Sequence, residues 1–234
     1  MSKKTNYPKT ILVLPDIHFP WPHEAGIEMA HKWAVKHKPD LVIQLGDIMD
    51  QKAWSRWPGD TDDPSPEDEF ERAYQGMVDL GKRFKKMEVL IGNHDRRMMM
   101  KASESKLPSR MIKTIQEMVP NHGWNWRTDP RKKLIVPSPR GDILFVHGDE
   151  NGGTPIQKAV MMGINVMSGH THKTSLAYRE TMGKFVWGME CGHLMDAKSK
   201  AADYAAASGI GSTAGFGVIK HGIPYWIPAD GGTV

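Results

Sequence analysis

The chain has 234 residues, 39% hydrophobic and 25% charged, with a formal net charge of +4. This composition argues against a disordered or membrane protein and fits a soluble globular chain with room for one substantial core. A single cysteine rules out a disulfide framework within the chain, and 31 Lys+Arg against 27 Asp+Glu admit a nucleic-acid partner without requiring one.

Residues 1–8 are polar and read as a loose N-terminal tail, and residues 9–234, with no internal repeat or linker, are expected to form one domain. Ile11-Leu12-Val13-Leu14 is the first apolar run. It is too short for a signal-peptide core or a membrane span, which points to a cytoplasmic protein. It has the continuity of a strand buried on both faces, and Asp16 and His18 stand at its end. Pro20 and Pro22 keep the next stretch extended. Glu24 to His37 has helical spacing, with Ile27, Ala30, Ala34 and Val35 along one side, and Pro39 closes it. Leu41 to Leu45 is a second buried strand that delivers Gly46-Asp47-Ile48-Met49-Asp50. Trp54 to Pro66 holds Asp60, Asp62 and Asp63 and predicts a long surface loop. Ser65, Pro66 and the acidic residues after them predict a capped helix running to Lys86.

Met87 to Ile91 reads as a third strand leading into Gly92-Asn93-His94-Asp95. Arg96 to Val119 is helical in composition and broken near Leu107-Pro108. Short strands are expected within residues 121–136, and a hairpin turn from Pro137 to Gly141. Ile143 to Val146 is another strand, ending in His147-Gly148-Asp149. A helix over Pro155 to Met162 precedes Ile164 to Met167, which delivers Ser168-Gly169-His170-Thr171-His172. Thr174–Tyr178 and Lys184–Met189 predict a hairpin turning at Met182-Gly183, residues 196–213 a mobile loop, and Phe216–Lys220 with Ile223–Ile227 a last hairpin. Strands alternate with helices early and crowd together late, which predicts an α/β sandwich of mixed sheets.

Five strand-like runs end in metal-ligating side chains: Asp16 and His18; Asp47; Asn93; His147; His170 and His172. Taken singly, most of them read as turns or strand ends, and Gly169-His170-Thr171-His172 is the strongest single piece. In open α/β folds, however, the carboxyl ends of strands gather along one edge, where ligands bind. Seven oxygen and nitrogen donors without a thiolate suit Mn, Fe, Zn or Co, and suit two ions if one carboxylate bridges them.

The order Asp-x-His, Gly-Asp-x-x-Asp, Gly-Asn-His-Asp, His-Gly and Gly-His-Thr-His resembles the calcineurin-like metallophosphoesterase superfamily, over roughly residues 11–190. Glu190-Cys191-Gly192 and Gly215-Phe216-Gly217-Val218-Ile219 are more loosely similar to phage-encoded metallophosphoesterases. The resemblance implies a four-layer α/β/β/α sandwich of two mixed sheets flanked by helices. It implies a first metal on Asp16, His18 and His172, a second on Asn93, His147 and His170, and Asp47 bridging both. His94 would be the catalytic histidine and Asp50 its orienting partner. Manganese is the expected ion, with Fe, Zn, Co, Ni and Mg as alternatives, and a metal-bridging hydroxide would attack phosphorus in line with the leaving oxygen.

Gln51 stands where the serine/threonine protein-phosphatase branch carries an Arg, and Asp95 where it carries Glu, which argues against that activity. Arg96 and Arg97 offer an alternative phosphate clamp, or simply open a helix. Trp54, Trp57, Trp124 and Trp126 can stack bases, with Lys52, Arg56, Arg127, Arg131 and Lys133 along a backbone, although such Trp more often anchor core or loops. Asp60, Asp62 and Asp63 would repel a polynucleotide in the same groove. The leading expectation is a phosphodiesterase acting on DNA or RNA, a nuclease. A phosphomonoesterase or nucleotide hydrolase is the alternative, and a non-catalytic metal-binding scaffold the third reading.

Overall fold

The continuous apolar runs become the inner strands of two facing sheets. The computed structural model describes residues 7–56, 61–119, 123–129, 133–150, 152–181, 183–199 and 212–229. The first sheet has the order β11 (Ile223–Pro228), β10 (Gly215–Lys220), β1 (Thr10–Leu14), β2 (Leu41–Gln44), β3 (Glu88–Leu90) and β4 (Asn125–Arg127). β1 to β4 are mutually parallel, and β10 joins β1 antiparallel with Leu12 opposite Val218. The second sheet has the order β5 (Leu134–Val136), β6 (Ile143–Val146), β7 (Asn165–Ser168), β9 (Lys184–Cys191) and β8 (Thr174–Thr181). Its centre, β6-β7-β9, is parallel, and its two edges are antiparallel. Both sheets are therefore mixed.

Period-two alternation sorts the strand residues into separate cores. Leu12 and Leu14 of β1, with Phe216 and Val218 of β10, face α1 (Glu24–His37) and α2 (Pro66–Arg83), meeting Ile27, Ala30, Ala73, Met77 and Leu80. Ile11 and Val13 face the other way, onto Ile143, Phe145, Met167, Trp187 and Met189 of the second sheet. The far side of that sheet, through Leu144, Val166 and Val186, receives Ala159 of α5 (Pro155–Met162). The order of layers is helix, sheet, sheet, helix, as the family resemblance implies.

Local chemistry sets the element ends. Ser65 caps α2 by accepting from the Asp68 amide, with Pro66 in the first turn. α2 stops at Arg83 rather than Lys86, because Phe84 leaves helical geometry to bury itself in the helix-side core. α5 opens on a Thr154–Gln157 capping box and ends at Gly163 in the left-handed region. The segment expected as a once-broken helix is more fragmented. α3 (Arg97–Glu104) ends before Lys106 at φ 55°, a 3₁₀ turn spans Ser109–Met111, and α4 (Ile115–Met118) restarts on a Thr114–Glu117 capping box. The last hairpin turns through His221 at φ 50° and Gly222 at φ 82°, the signs of a type I′ turn.

The expected N-terminal tail falls on residues 1–6 outside the described residues, while Tyr7 and Pro8 are half-buried. Residues 200–211 of the expected mobile loop, and Trp57, Asp60, Arg131 and Met182, also lie outside the described residues.

Candidate metal centre

The parallel strands β1, β2, β3, β6 and β7 point their carboxyl ends to one edge, and the loops leaving them supply every expected ligand. Asp16, His18 and His172 bring donor atoms within 4.8 Å of one another, and so do Asp47, His147 and His170. Asn93 joins the second group, its Oδ1 lying 3.0 Å from His147 Nε2. Asp47 connects the two: its Oδ2 is 3.1 Å from His147 Nε2 and 3.8 Å from His18 Nε2. The groups converge as two donor sets sharing one carboxylate, and their hard and borderline O/N chemistry fits two divalent cations.

The backbone is bent to make this possible. Nine non-glycine residues have positive φ among the described residues, and six of them are Asp16, His18, Asp47, Gln51, His170 and His172. Each such conformation costs on the order of 1–3 kcal/mol and persists where the surroundings impose it. Glycines make the room. A Cβ on Gly92 would overlap the Asp47 carboxylate, and one on Gly169 would overlap that of Asp16. Gly92 has no positive φ, so close approach rather than a tight turn explains its place in Gly-Asn-His-Asp.

The outer atoms of the imidazoles fix which nitrogen faces the centre. His147 Nδ1 lies 3.1 Å from the Leu45 carbonyl, so it donates there and leaves Nε2 toward Asp47 and Asn93. Asp50 Oδ1 accepts from His18 Nδ1 at 2.9 Å and from His94 Nδ1 at 2.8 Å. One carboxylate therefore orients an expected ligand and the expected catalytic histidine together. Asp50 stays ionised, since the two imidazoles outweigh its burial and hold its carboxyl well below the usual range.

The remaining charges follow from burial and neighbours. Burial lowers the basicity of His18, His170 and His172, the last to about 2, which favours the neutral form that binds metal. Burial also pushes the Asp16 carboxyl up to about 8, with Asp47 adding to it and His147 opposing. His147 behaves oppositely: burial lowers it, but the adjacent Asp47 carboxylate more than offsets this and raises it to about 10. Asp47 remains ionised despite its burial, held low first by His147.

At His94, burial is outweighed by Asp47 and Asp50, which raise its basicity. Arg97 Nη2, which can only donate, sits 2.8 Å from His94 Nε2, and its Nη1 donates to the Asp50 carbonyl at 2.9 Å. Charge favours the imidazolium, whereas Arg97 needs an unprotonated Nε2. The contact is the firmer constraint, so the ring carries its proton on Nδ1 until Arg97 moves.

Arg96, the other half of the expected clamp, forms an ion pair with Asp149. Gln51 is buried and ties two backbones, reaching the Asp95 carbonyl and accepting from the Met98 amide. Trp124 is a core residue whose Nε1 donates to the Phe84 carbonyl, and Trp126 packs on the same core; neither is a stacking platform. Trp54 remains partly exposed, and Asp63 pairs with Lys52.

Two residues stand beside the donors in ways that the motif alone does not show. The buried Asp95 carboxylate accepts from the amides of Asp47 at 2.8 Å, Met49 at 3.0 Å and Gly92 at 2.9 Å, so it clamps the two central loops together. Burial and the nearby Asp47 push it up to about 6, which leaves it ionised at neutral pH. His193 is fully buried with its ring 5.2 Å from that of His172. Its position after the Met189-Glu190-Cys191-Gly192 run is the same strand-end signal that marks the other histidines.

A family model described as calcineurin-like phosphoesterase matches residues 9–174. The chain belongs to that family. Two mycobacteriophage proteins, each called gene 54 protein, from phages L5 and D29, are 24% identical to this calcineurin-like phosphoesterase over 258 aligned positions, covering 96% of this chain and 95% of theirs. Among solved structures, YfcE, a phosphoesterase from E. coli, is 14% identical with a TM-score of 0.49, covering 96% of this chain and 95% of its own. Vacuolar protein sorting 29 from Cryptosporidium parvum is 14% identical with a TM-score of 0.46, covering 95% of this chain and 97% of its own. No helix among the described residues is long and apolar enough to cross a membrane.

Proposed function

We propose that this phosphoesterase hydrolyses phosphodiester bonds, with DNA or RNA as the substrate class and manganese as the preferred ion. The observation that carries this reading is that two separate cavities reach the donor set. One is lined by His147, Arg96, Asp149 and Lys133, the other by Asn93, Arg97, Arg56 and Trp54. An ester with substituents on both sides of phosphorus makes use of both; a monoester needs one. The two arginines nearest the centre support the same choice. Arg96 is paired with Asp149 and Arg97 is engaged at His94 and Asp50, which suits a monoanionic diester better than a dianionic monoester.

Asp16, His18 and His172 would hold one cation and Asn93, His147 and His170 the other, with Asp47 common to both. When bound, such cations supply water activation at neutral pH and charge stabilisation at the phosphoryl oxygens. The chain's own groups do the rest. Asp50 holds His94 by Nδ1, so Nε2 is the edge from which a proton reaches the leaving oxygen. Arg97 shares that edge, and its displacement onto the phosphate by an incoming substrate would free Nε2 for protonation. The two phage relatives support a phage origin, and action inside the infected cell belongs to the same proposal.

Turnover of bis(p-nitrophenyl) phosphate against p-nitrophenyl phosphate by manganese-loaded protein tests the reading, followed by degradation of labelled single- and double-stranded DNA and RNA. Faster hydrolysis of the diester and salt-sensitive cleavage of nucleic acid are expected. Faster hydrolysis of the monoester would replace the proposal with a phosphomonoesterase. No turnover of either by metal-loaded protein would leave a binding scaffold.

A further inference from the structure

The larger of the two cavities has a chemical character of its own. Its volume is about 390 Å³, within the ~300–1,000 Å³ typical of small-molecule sites. Asn93 and Arg97, which border the donor set, are part of its lining. Arg97 in turn touches His94 Nε2 at 2.8 Å. The cavity therefore adjoins the edge of the centre where His94 presents Nε2 behind Arg97, which on the phosphodiesterase reading is the side to which a leaving oxygen departs.

Its outer walls combine large apolar surfaces with cations. Trp54 is 39% exposed and Met100 55%. Trp54 is not loosely hung. The Lys52 and Ala53 amides just before it donate to the Glu69 carboxylate at 2.6 and 2.8 Å, and the indole also borders a small void shared with Phe70, Met98 and Met118. Arg56 and Lys101 supply positive charge. The carboxylate in the lining, Glu104, pairs with Lys101 at 3.0 Å, and both side chains are well exposed. Exposed pairs of this kind hold weakly, so Lys101 can turn to an incoming anion.

We propose that this cavity is a subsite for the nucleoside of the leaving group, its base against Trp54 and Met100 and its next phosphate on Arg56 and Lys101. The proposal deepens the phosphodiesterase reading and rests on it for the direction of departure. It makes the leaving nucleotide, rather than the one retained on phosphorus, the main determinant of nucleic-acid affinity. Stacking on an indole tolerates every base, so cleavage is expected to be indifferent to sequence at this position.

The test is calorimetric binding of thymidine 3′,5′-bisphosphate to manganese-loaded protein, with hydrolysis of bis(p-nitrophenyl) phosphate measured alongside on the native protein. Native protein is expected to bind the bisphosphate more tightly than inorganic phosphate. Trp54→Ala should raise the Kd by about fivefold or more, and Trp54→Phe by much less. Lys101→Gln, on an exposed side chain of α3, should weaken binding and flatten its salt dependence without disturbing packing. Binding no tighter than inorganic phosphate, or an unchanged Kd in Trp54→Ala and Lys101→Gln, overturns the subsite. Binding that depends on Trp54 in a protein that does not hydrolyse the diester upholds the subsite and overturns the phosphodiesterase reading.

Discussion

Replacing Asp95 removes the clamp between the loops that carry Asp47 and Asn93. Three backbone amides, of Asp47, Met49 and Gly92, donate to this one buried carboxylate. In Asp95→Ala each is left without its acceptor inside the protein. Hydrogen bonds to a charged group contribute about 1.5–3 kcal/mol each, and the relief of no longer burying the charge offsets part of their sum. A loss of roughly 3–5 kcal/mol is expected, a large share of the ~5–15 kcal/mol that holds a domain folded. Asp95→Asn is milder and diagnostic. Its amide oxygen can keep the Asp47 and Gly92 amides, which both reach Oδ2, while its NH₂ is turned against the Met49 amide that donates to Oδ1. About 1.5–3 kcal/mol is expected for that single mismatch. Urea unfolding of chelator-treated native and variant proteins measures both losses, and manganese titration of Asp95→Asn shows whether the displaced Asp47 loop weakens metal binding. If both variants unfold within about 0.5 kcal/mol of native, the size of an ordinary surface substitution, the clamp is refuted.

His94→Ala should keep both ions and lose about 10²–10⁴ in kcat; full turnover on every substrate cleaved by the native protein would remove His94 from the reaction. Asp47→Ala should lose metal as well as turnover, read by elemental analysis after dialysis. Asp50→Asn can keep both bonds on its one oxygen, since His18 and His94 already share Oδ1, but it loses the charge that strengthens them, and a drop of about 10–100-fold in metal affinity or activity is expected; unchanged manganese affinity and kcat would count against a shared role. Metal loading at pH 7 should release close to two protons, because Asp16, raised to about 8, and His147, raised to about 10, both hold one without metal. Calorimetry in buffers of different ionisation enthalpy counts them, and zero release would contradict these protonation states. Without metal, Asp16 is protonated in the fold but ionised in the unfolded chain between its ordinary 3.8 and about 8, so its contribution to stability falls as pH rises through that window. His147 contributes fully below its ordinary 6.5 and loses that contribution as pH rises toward about 10.

The strands and the donors were legible in the sequence because both are local signals. A short apolar run bounded by turn residues marks a buried strand wherever it lies, and side chains at its C-terminal end reach the shared edge of a parallel sheet. The Ser65 cap is likewise written within four residues. The partners of those side chains were not legible. His18 meets His172 across 154 positions of chain, and Asp95 clamps amides 46 and 48 positions away. Only the packed loops could show that Asp50 serves two imidazoles, that Arg97 sits on His94, or that Trp124 is core while Trp54 faces a cavity. Residue types and spacing tell which atoms can bind a cation or carry a proton. Which nitrogen bears the proton, and which carboxylate stays charged, depends on burial and on neighbours from distant segments, so the tertiary structure alone decided it.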